Sequence, residues 1–360
     1  MKSLSYSFIV LGVAVLAFAS TLFAAPEVVI PTKAEAKLEI AKAKEILDRY
    51  GITHSVDPED PIDWAAYFEE AQNRLGKSGS GQRSGSLRLT DYYPIKETVY
   101  FDSHVTIEGS VRAKHHLGSS HGFVAEEGFK GDTMLVWKTP KPRSYYSNFG
   151  AGIHQIHVQS RKGLNGVSFR GAQQACRVDN LYVRGFGENA VGLQLGGDTY
   201  TVRDCFVDAA KSGEKSVTRK GSTGYQLGPT RVYSLTLNNV TVHNCDTGMA
   251  ISDAHQLWVS NYETELTALP LLFTYQCQGV AIDHVTFRHT QNILNIKKAR
   301  FPATYGLKLN GTMADNKKGQ IEYPANKKWL SRDQTIDISI DGDRKGIKIT
   351  DLKKFRLELK

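Results

Sequence analysis

Cysteine is scarce in this chain, and the little there is forms no motif. Four occur in 360 residues, Cys176, Cys205, Cys245 and Cys277. There is no C-x-x-C and no Cys/His pair at zinc spacing, which argues against a structural metal. The four also fall at different points of the repeating unit described below. Cys176 opens a first strand, Cys205 opens a second, and Cys245 and Cys277 lie in connections. Partners in a stacked structure would share a position, so free, mostly buried thiols are expected. Long apolar runs are missing after residue 23, so no later segment can span a bilayer as a helix. The one such run, residues 8–23, follows Lys2 and ends in small residues at Ala17-Phe-Ala19 and Ala24-Ala25. That is the layout of a secretory signal peptide, and it predicts a periplasmic or secreted protein without a membrane span once the signal is removed. The middle of the chain also lacks the i, i+3, i+4 apolar pattern, which disfavours a helical solenoid there. No RNP-like or helix-turn-helix signature accompanies the net charge of +8 and the pI of about 9.1, so nucleic acid has no support beyond charge.

What the chain does contain is a recurring six-residue phrase. It reads Ile153-His-Gln-Ile-His-Val158, Val178-Asp-Asn-Leu-Tyr-Val183, Val202-Arg-Asp-Cys-Phe-Val207, Leu237-Asn-Asn-Val-Thr-Val242, Val259-Ser-Asn-Tyr-Glu-Thr264 and Ile282-Asp-His-Val-Thr-Phe287. Successive starts are 25, 24, 35, 22 and 23 residues apart. A second phrase follows most copies: Gly166-Val-Ser-Phe, Gly192-Leu-Gln-Leu, Gly224-Tyr-Gln-Leu and Gly248-Met-Ala-Ile. A near-regular period of this size marks a solenoid whose units bury their apolar faces only against their neighbours. Apolar and polar residues alternate, so the units are strands. The third position is Gln155, Asn180, Asp204, Asn239, Asn261 or His284. Asn and Asp tolerate the left-handed conformation of a tight corner, and a stacked polar ladder is expected there.

These residues resemble the single-stranded right-handed parallel β-helix of the pectate-lyase-like superfamily. The resemblance runs from about Ile62 to Asn310. Ile62-Asp-Trp-Ala-Ala-Tyr-Phe-Glu-Glu-Ala-Gln72 looks like the superfamily's short capping helix, and Leu87 to Gly109 looks like its first coil. The expected fold is therefore an all-β solenoid with N-terminal capping helices and a C-terminal β cap. Residues 1–25 are expected as the signal, 26–76 as N-terminal helices and cap, 77–310 as the β-helix and 311–360 as a C-terminal hairpin cap. Thr32-Lys-Ala-Glu35 is a capping box for an amphipathic helix that Gly51 ends. Residues 77–85 and 115–143 read as loops, the second with an exposed arm at Pro140 to Tyr146. Ile336 to Ile340 and Gly346 to Ile349 read as a hairpin around Asp341-Gly-Asp343. That triplet is far short of a calcium loop, and a plain turn is the stronger reading.

In enzymes of this superfamily the substrate lies along the outer face of the third strand, so the resemblance directs attention to Ser168, Arg170, Gln194, Gln226, Ala250 and Ser252. That row holds no acid, whereas calcium-dependent pectate lyases carry several carboxylates there. The Arg-x-Pro-x-x-Arg signature and the paired aspartates of polygalacturonases are absent as well. Calcium stays open, and no cofactor is firmly implied. A richer group follows each second strand: Gln159, Arg184, Asp208, His243, Glu265 and Arg288, with Glu263 nearby. Coils are about 4.8 Å apart, so these residues are expected to stack as a mixed-charge column. Carboxylates on both sides are expected to raise the His243 pKa. Such a column supplies either an acid–base group with arginines for an anionic sugar, or a salt-bridge ladder between coils. Lys211, Lys215, Arg219 and Lys220 lie in the long insertion after Asp208. Arg231, Asp253 and His255 lie on the opposite rim. Trp258 and Tyr182 point outward and can stack on sugar rings.

Three functions stay open on this reading, for a protein expected to be a monomer. A polysaccharide lyase acting on an acidic, uronate-containing polymer leads, with His243, Asp208, Glu265, Arg184 and Arg288 as its catalytic group. A glycoside hydrolase would use Asp208 and Glu265 as its carboxylate pair. A non-catalytic glycan- or surface-binding solenoid fits the acid-free groove. The basic surplus suits an acidic partner in each case.

Overall fold

The computed structural model describes residues 26–77, 83–110, 121–138, 150–172, 175–275, 277–290, 293–296, 307–314, 319–322, 336–341, 347–349 and 356–359. The segment expected as a signal, the arm expected at 140–146 and parts of the loops expected at 77–85 and 115–143 lie outside these residues.

Each phrase folds as anticipated, into two strands meeting at a corner. Strands of one coil pair in parallel with the same position of the next. Arg177–Asp179 pairs with Gly152–His154 on one side and with residues 201–203 on the other. Tyr182–Arg184 pairs likewise with His157–Gln159 and 206–208. The second phrase makes a third sheet, in which 193–195 lies between 167–169 and 225–227. Three parallel sheets stacked coil on coil make a parallel β-helix; among the described residues the exception is the short antiparallel pairing of Gly76–Lys77 with residues 83–84 at its start. Crossovers between parallel strands are right-handed in nearly all proteins, because a right-twisted strand packs back only that way.

The corner residues carry the conformation that their chemistry predicted. Gln155, Asn180, Asp204, Asn239, Asn261 and His284 all have φ between 51° and 56°. Left-handed backbone costs most residues about 1–2 kcal/mol, and Asn and Asp offset part of it by local hydrogen bonds. Asn239 Nδ2 donates to Asp204 Oδ1 at 2.5 Å in the preceding coil. The glycines of the second phrase have a steric cause. A Cβ on Gly192 would lie 2.2 Å from Val207 Cγ1, and one on Gly166 2.4 Å from Val183 Cγ1. The third sheet leaves the corner too close to the second for any side chain.

The interior is a set of apolar columns. Val158, Val183, Val207, Val242, Thr264 and Phe287 form one of them, all fully buried, and all apolar except Thr264. Helix α1, Lys33–Arg49, starts at the Thr32–Glu35 capping box. It buries only Ala36 and leaves Leu38 and Ile46 half-exposed. Helix α2, Trp64–Asn73, is capped by Asp63 and lies across the first coils. Its Phe68 packs against Tyr93, Phe101 and Phe123, and its Gln72 bridges the carbonyl of Tyr100 and the amide of Asp102.

Three expectations change. Residues within the span read as a loop at 115–143 contain a strand, Gly122–Trp137, whose ends pair with the second and third strands of the coil before it. Its charged bend at Glu126 to Asp132 masked a coil that lacks the phrase. The hairpin at 336–349 does not form. Ile336–Asp341 pairs in parallel with 307–312, and Ile347–Ile349 with 319–321, so the two strands belong to different sheets. Parallel pairing continues through Arg356–Leu359, which pairs with Asp337–Ile340. Finally, Cys245 and Cys277 begin strands rather than lying in connections. All four cysteines are free and buried, as expected, and burial pushes the thiols of Cys205 and Cys277 up to about 12.

Candidate functional site

The mixed-charge column stands in register. Gln159, Arg184, Asp208, His243, Glu265 and Arg288 are ladder partners in that order. Its two ends differ in exposure. The side chains of Arg184 and Asp208 are 13% and 8% exposed, whereas those of His243, Glu265 and Arg288 rise through 24%, 32% and 47%. A ligand can therefore reach the second half of the column and not the first.

Asp208 is committed to structure. It accepts from the amide of Ala210 at 2.9 Å and from Asn244 Nδ2 at 2.8 Å, and it pairs with Arg184 at 3.4 Å. These bonds anchor the insertion after it, whose far end is tied by Thr218 Oγ1 to the Leu266 carbonyl at 2.8 Å. Within that insertion Arg219 pairs with Glu214 at 2.8 Å. Lys215 and Lys220 are exposed, and Lys211 lies against the Gly185 turn.

His243 sits at the opening. Its Nε2 is 3.6 Å from Glu265 Oε2, close enough for charge and too long for a good hydrogen bond. Phe206 meets the imidazole edge-on at 4.7 Å. The expected rise in its pKa is reversed: burial lowers it, outweighing the raising effect of Glu265, Asp208 and Glu263. A desolvated imidazole disfavours its cationic form even beside carboxylates. Arg288 pairs with Glu263 at 3.4 Å across one coil.

Beside the column runs an aromatic row that the sequence reading saw only through Tyr182. Tyr182 stacks on Phe206 at 4.5 Å, and His157 meets Tyr182 at 5.6 Å. Tyr92 stacks on His157 at 5.3 Å, although Gly122 separates them by a coil. Arg184 lies over the Tyr182 ring. His157 is buried, and with Arg184 nearby its pKa falls to about 4. This predicts an acid-sensitive fold. An unfolded histidine titrates near 6.5, so between that value and about 4 the unfolded chain binds a proton that the folded chain refuses. Stability then falls as pH falls through that window, by up to about 3 kcal/mol. Denaturant midpoints of the wild type and His157→Gln at about pH 7 and about pH 4.5 check it; an equal acid loss in both would reject this source.

The third-sheet face is less open than the resemblance implied. Ser168, Gln194, Gln226 and Ala250 do form one column. Ser168 and Gln194 are nevertheless buried, and Arg170 is half-buried with Asp132 as a charged neighbour. On the rim, Asp253 gathers Arg231 at 3.7 Å and His255 at 3.2 Å, and His255 stacks on Tyr233. Trp258 is exposed on the first sheet, away from both groups. No group of three or more potential metal ligands occurs among the described residues, and no described helix is long and apolar enough to cross a membrane.

One cluster escaped the sequence reading. On the first sheet, His154, Asp179 and Arg203 are successive ladder partners, and Arg177 lies on the same face. The residue before each corner, rather than the one after each second strand, was the signal that marks it.

No family model matches the chain, and no curated protein matches it in sequence. Several solved structures resemble it in fold. A DFA-IIIase from Arthrobacter chlorophenolicus in complex with GF2 matches with TM-score 0.47 and 11% identity over 82% of each chain. An endo-xylogalacturonan hydrolase from Aspergillus tubingensis matches at 0.44 and 10% over 83% of this chain and 90% of its own. A tailspike of an Acinetobacter phage matches at 0.41 and 10%, over 84% of this chain but 59% of the tailspike.

Proposed function

We propose that this protein is an exported, carbohydrate-active β-helix that cleaves an acidic polysaccharide by β-elimination at the open end of the charged column. The observation that carries the reading is His243, an accessible imidazole held neutral by burial beside carboxylates. With Nε2–H facing Glu265, Nδ1 keeps its lone pair. It takes the proton from the sugar carbon next to the carboxylate, a double bond forms to the adjacent carbon as its bond to the glycosidic oxygen breaks, and the departing oxygen takes a proton from water. Arg288 stabilises the charge that develops on the carboxylate, exchanging Glu263 for substrate. Arg184, which the sequence placed in the same role, instead supports the column from within by holding Asp208.

A hydrolytic pair of Asp208 and Glu265 is a weaker account, because Asp208 is buried and its oxygens are engaged. A binding-only solenoid is the second reading, and a specific observation favours it: Arg184 and Arg288 each already have a carboxylate partner. The mature protein should therefore be incubated with acidic and neutral polysaccharides, with and without calcium. The expected result is ultraviolet absorbance of unsaturated uronates rising together with reducing ends. Reducing ends alone would transfer the reading to hydrolysis, and silence across the panel would leave the binding solenoid.

A further inference from the structure

The outer face of the first sheet carries the cluster that the proposed reaction does not use. His154 Nδ1 is hydrogen-bonded to Asp179 Oδ1. Arg177 and Arg203 each bring one terminal guanidinium nitrogen to 3.4 Å from the other oxygen, Asp179 Oδ2. Asp179 is buried beneath them, while the two arginine side chains are 43% and 46% exposed. One carboxylate is thus shared by three groups that carry or can carry positive charge.

The register explains the convergence. His154, Asp179 and Arg203 occupy one outward column on three successive coils. Arg177 is two residues before Asp179, on the same face, and its ladder partner is Gly152. A Cβ on Gly152 would lie 2.4 Å from His154 Nε2, so the bare backbone lets the imidazole lie down over the strand. Glu108 is the ladder partner of His154 in the preceding coil, on the side away from both arginines.

Each guanidinium has five N–H donors in a fixed fork. Asp179 holds one terminal nitrogen of each at 3.4 Å, with a hydrogen bond to Arg203 and an ion pair to Arg177, while both side chains stay substantially exposed. A buried carboxylate orienting two exposed guanidiniums is a positioned receptor for an anion with paired oxygens. The arrangement contrasts with the column on the second sheet, where Arg184 is sealed and Arg288 is matched by Glu263.

We infer that His154, Asp179, Arg177 and Arg203 form a second glycan site, which binds the carboxylate or sulfate of an anionic sugar through Arg177 and Arg203, with His154 Nε2 meeting a neighbouring hydroxyl. Asp179 is its positioning residue. The site needs no cleavage to occur, so it stands or falls separately from the lyase reading.

Calorimetric titration of the full mature protein with a galacturonate oligomer and with a sulfated dextran oligomer tests it. Arg177→Ala/Arg203→Ala is compared with a charge-matched control, Lys37→Ala/Lys42→Ala on α1. The expected loss in the arginine double variant is about tenfold or more in affinity for at least one oligomer, the size of a lost charge-assisted pair of hydrogen bonds. The control is expected to stay within about twofold, as general charge screening allows. A response to the galacturonate alone assigns a carboxylate ligand, and a response to the sulfated oligomer alone assigns a sulfate. The inference is overturned if the wild type binds neither oligomer. It is equally overturned if the arginine variant loses no more than the lysine control. Thermal melting checks folding, and if the double variant melts abnormally the single Arg177→Ala and Arg203→Ala variants, both at exposed positions, carry the same comparison.

Discussion

Replacing His243 by alanine is expected to lower turnover of an acidic polysaccharide by about 10²–10⁴-fold, the usual contribution of a positioned general base. Binding of the polymer should persist, because the imidazole acts on a proton and holds no charge on the sugar. The pH dependence gives a sharper check. Burial lowers the His243 pKa below its ordinary value of 6.5, and a base works only when deprotonated. The acid limb of the activity profile should therefore lie below 6.5, and the enzyme should hold its rate into mildly acid solution. Raising the exposure of the ring, as in Phe206→Ala, should move that limb upward, since Phe206 covers its edge. A wild-type limb above 6.5 would mean that the carboxylates dominate after all. Unchanged turnover in His243→Ala would remove the proposed base altogether.

Gly122→Ala is expected to be the most damaging single methyl in the solenoid. An added Cβ would stand 1.8 Å from the His157 carbonyl oxygen and 2.7 Å from its carbon. Both are backbone atoms of a paired strand, so neither can swing away, and two coils must part. The gap also has a use. Backbones two coils apart are separated by about 9.6 Å, yet the Tyr92 and His157 rings come within 5.3 Å because they lean into the space above Gly122. A loss of more than about 4 kcal/mol, or failure to fold, is expected for this mechanism of overpacking against backbone. Gly128→Ala is the comparison. It sits at φ +73° with nothing within 4 Å of its Cβ, so only the left-handed backbone cost of about 1–2 kcal/mol applies. Denaturant unfolding of both variants decides the matter. Similar losses would mean that the ladder yields locally and that Gly122 has no special place.

The sequence disclosed most of the fold because the repeat itself is a structural statement. Asn180, Asp204, Asn239 and Asn261 announced a corner, and the corner placed every neighbouring residue in or out. The register of Arg184, Asp208, His243, Glu265 and Arg288 followed from the phrase alone. What stayed hidden depended on neighbours without the phrase. The coil ending in Gly122–Trp137 carries glycine and charge where the others carry valine and asparagine, so it resembled a loop. Ile336 to Ile349 looked like a hairpin because two short strands around Asp-Gly satisfy either a reversal or a corner, and only the third dimension separates them. The direction of the His243 shift was missed for a related reason. Its carboxylates could be counted along the column, but the burial that outweighs them comes from the adjacent aromatic row. Asp179 and His154 were legible as letters of the phrase and were passed over, because the second strand's end held more charge.

The insertion after Asp208 shows how little the stack depends on the length of chain between its layers. Phrase starts there are 35 residues apart instead of 22–25, yet Phe206 still faces Thr241 and Asp208 still faces His243. Lengthening a loop costs only about 0.6 kcal/mol per doubling, and here the extra segment is moored at both ends, by the Asp208–Ala210 bond at its start and by the bond from Thr218 to the Leu266 carbonyl at its far end. The molecule behaves as a rack of fixed pitch with bays of adjustable depth. Surface segments beside the column can be exchanged, enlarged or trimmed while the shelf that holds His243 stays level.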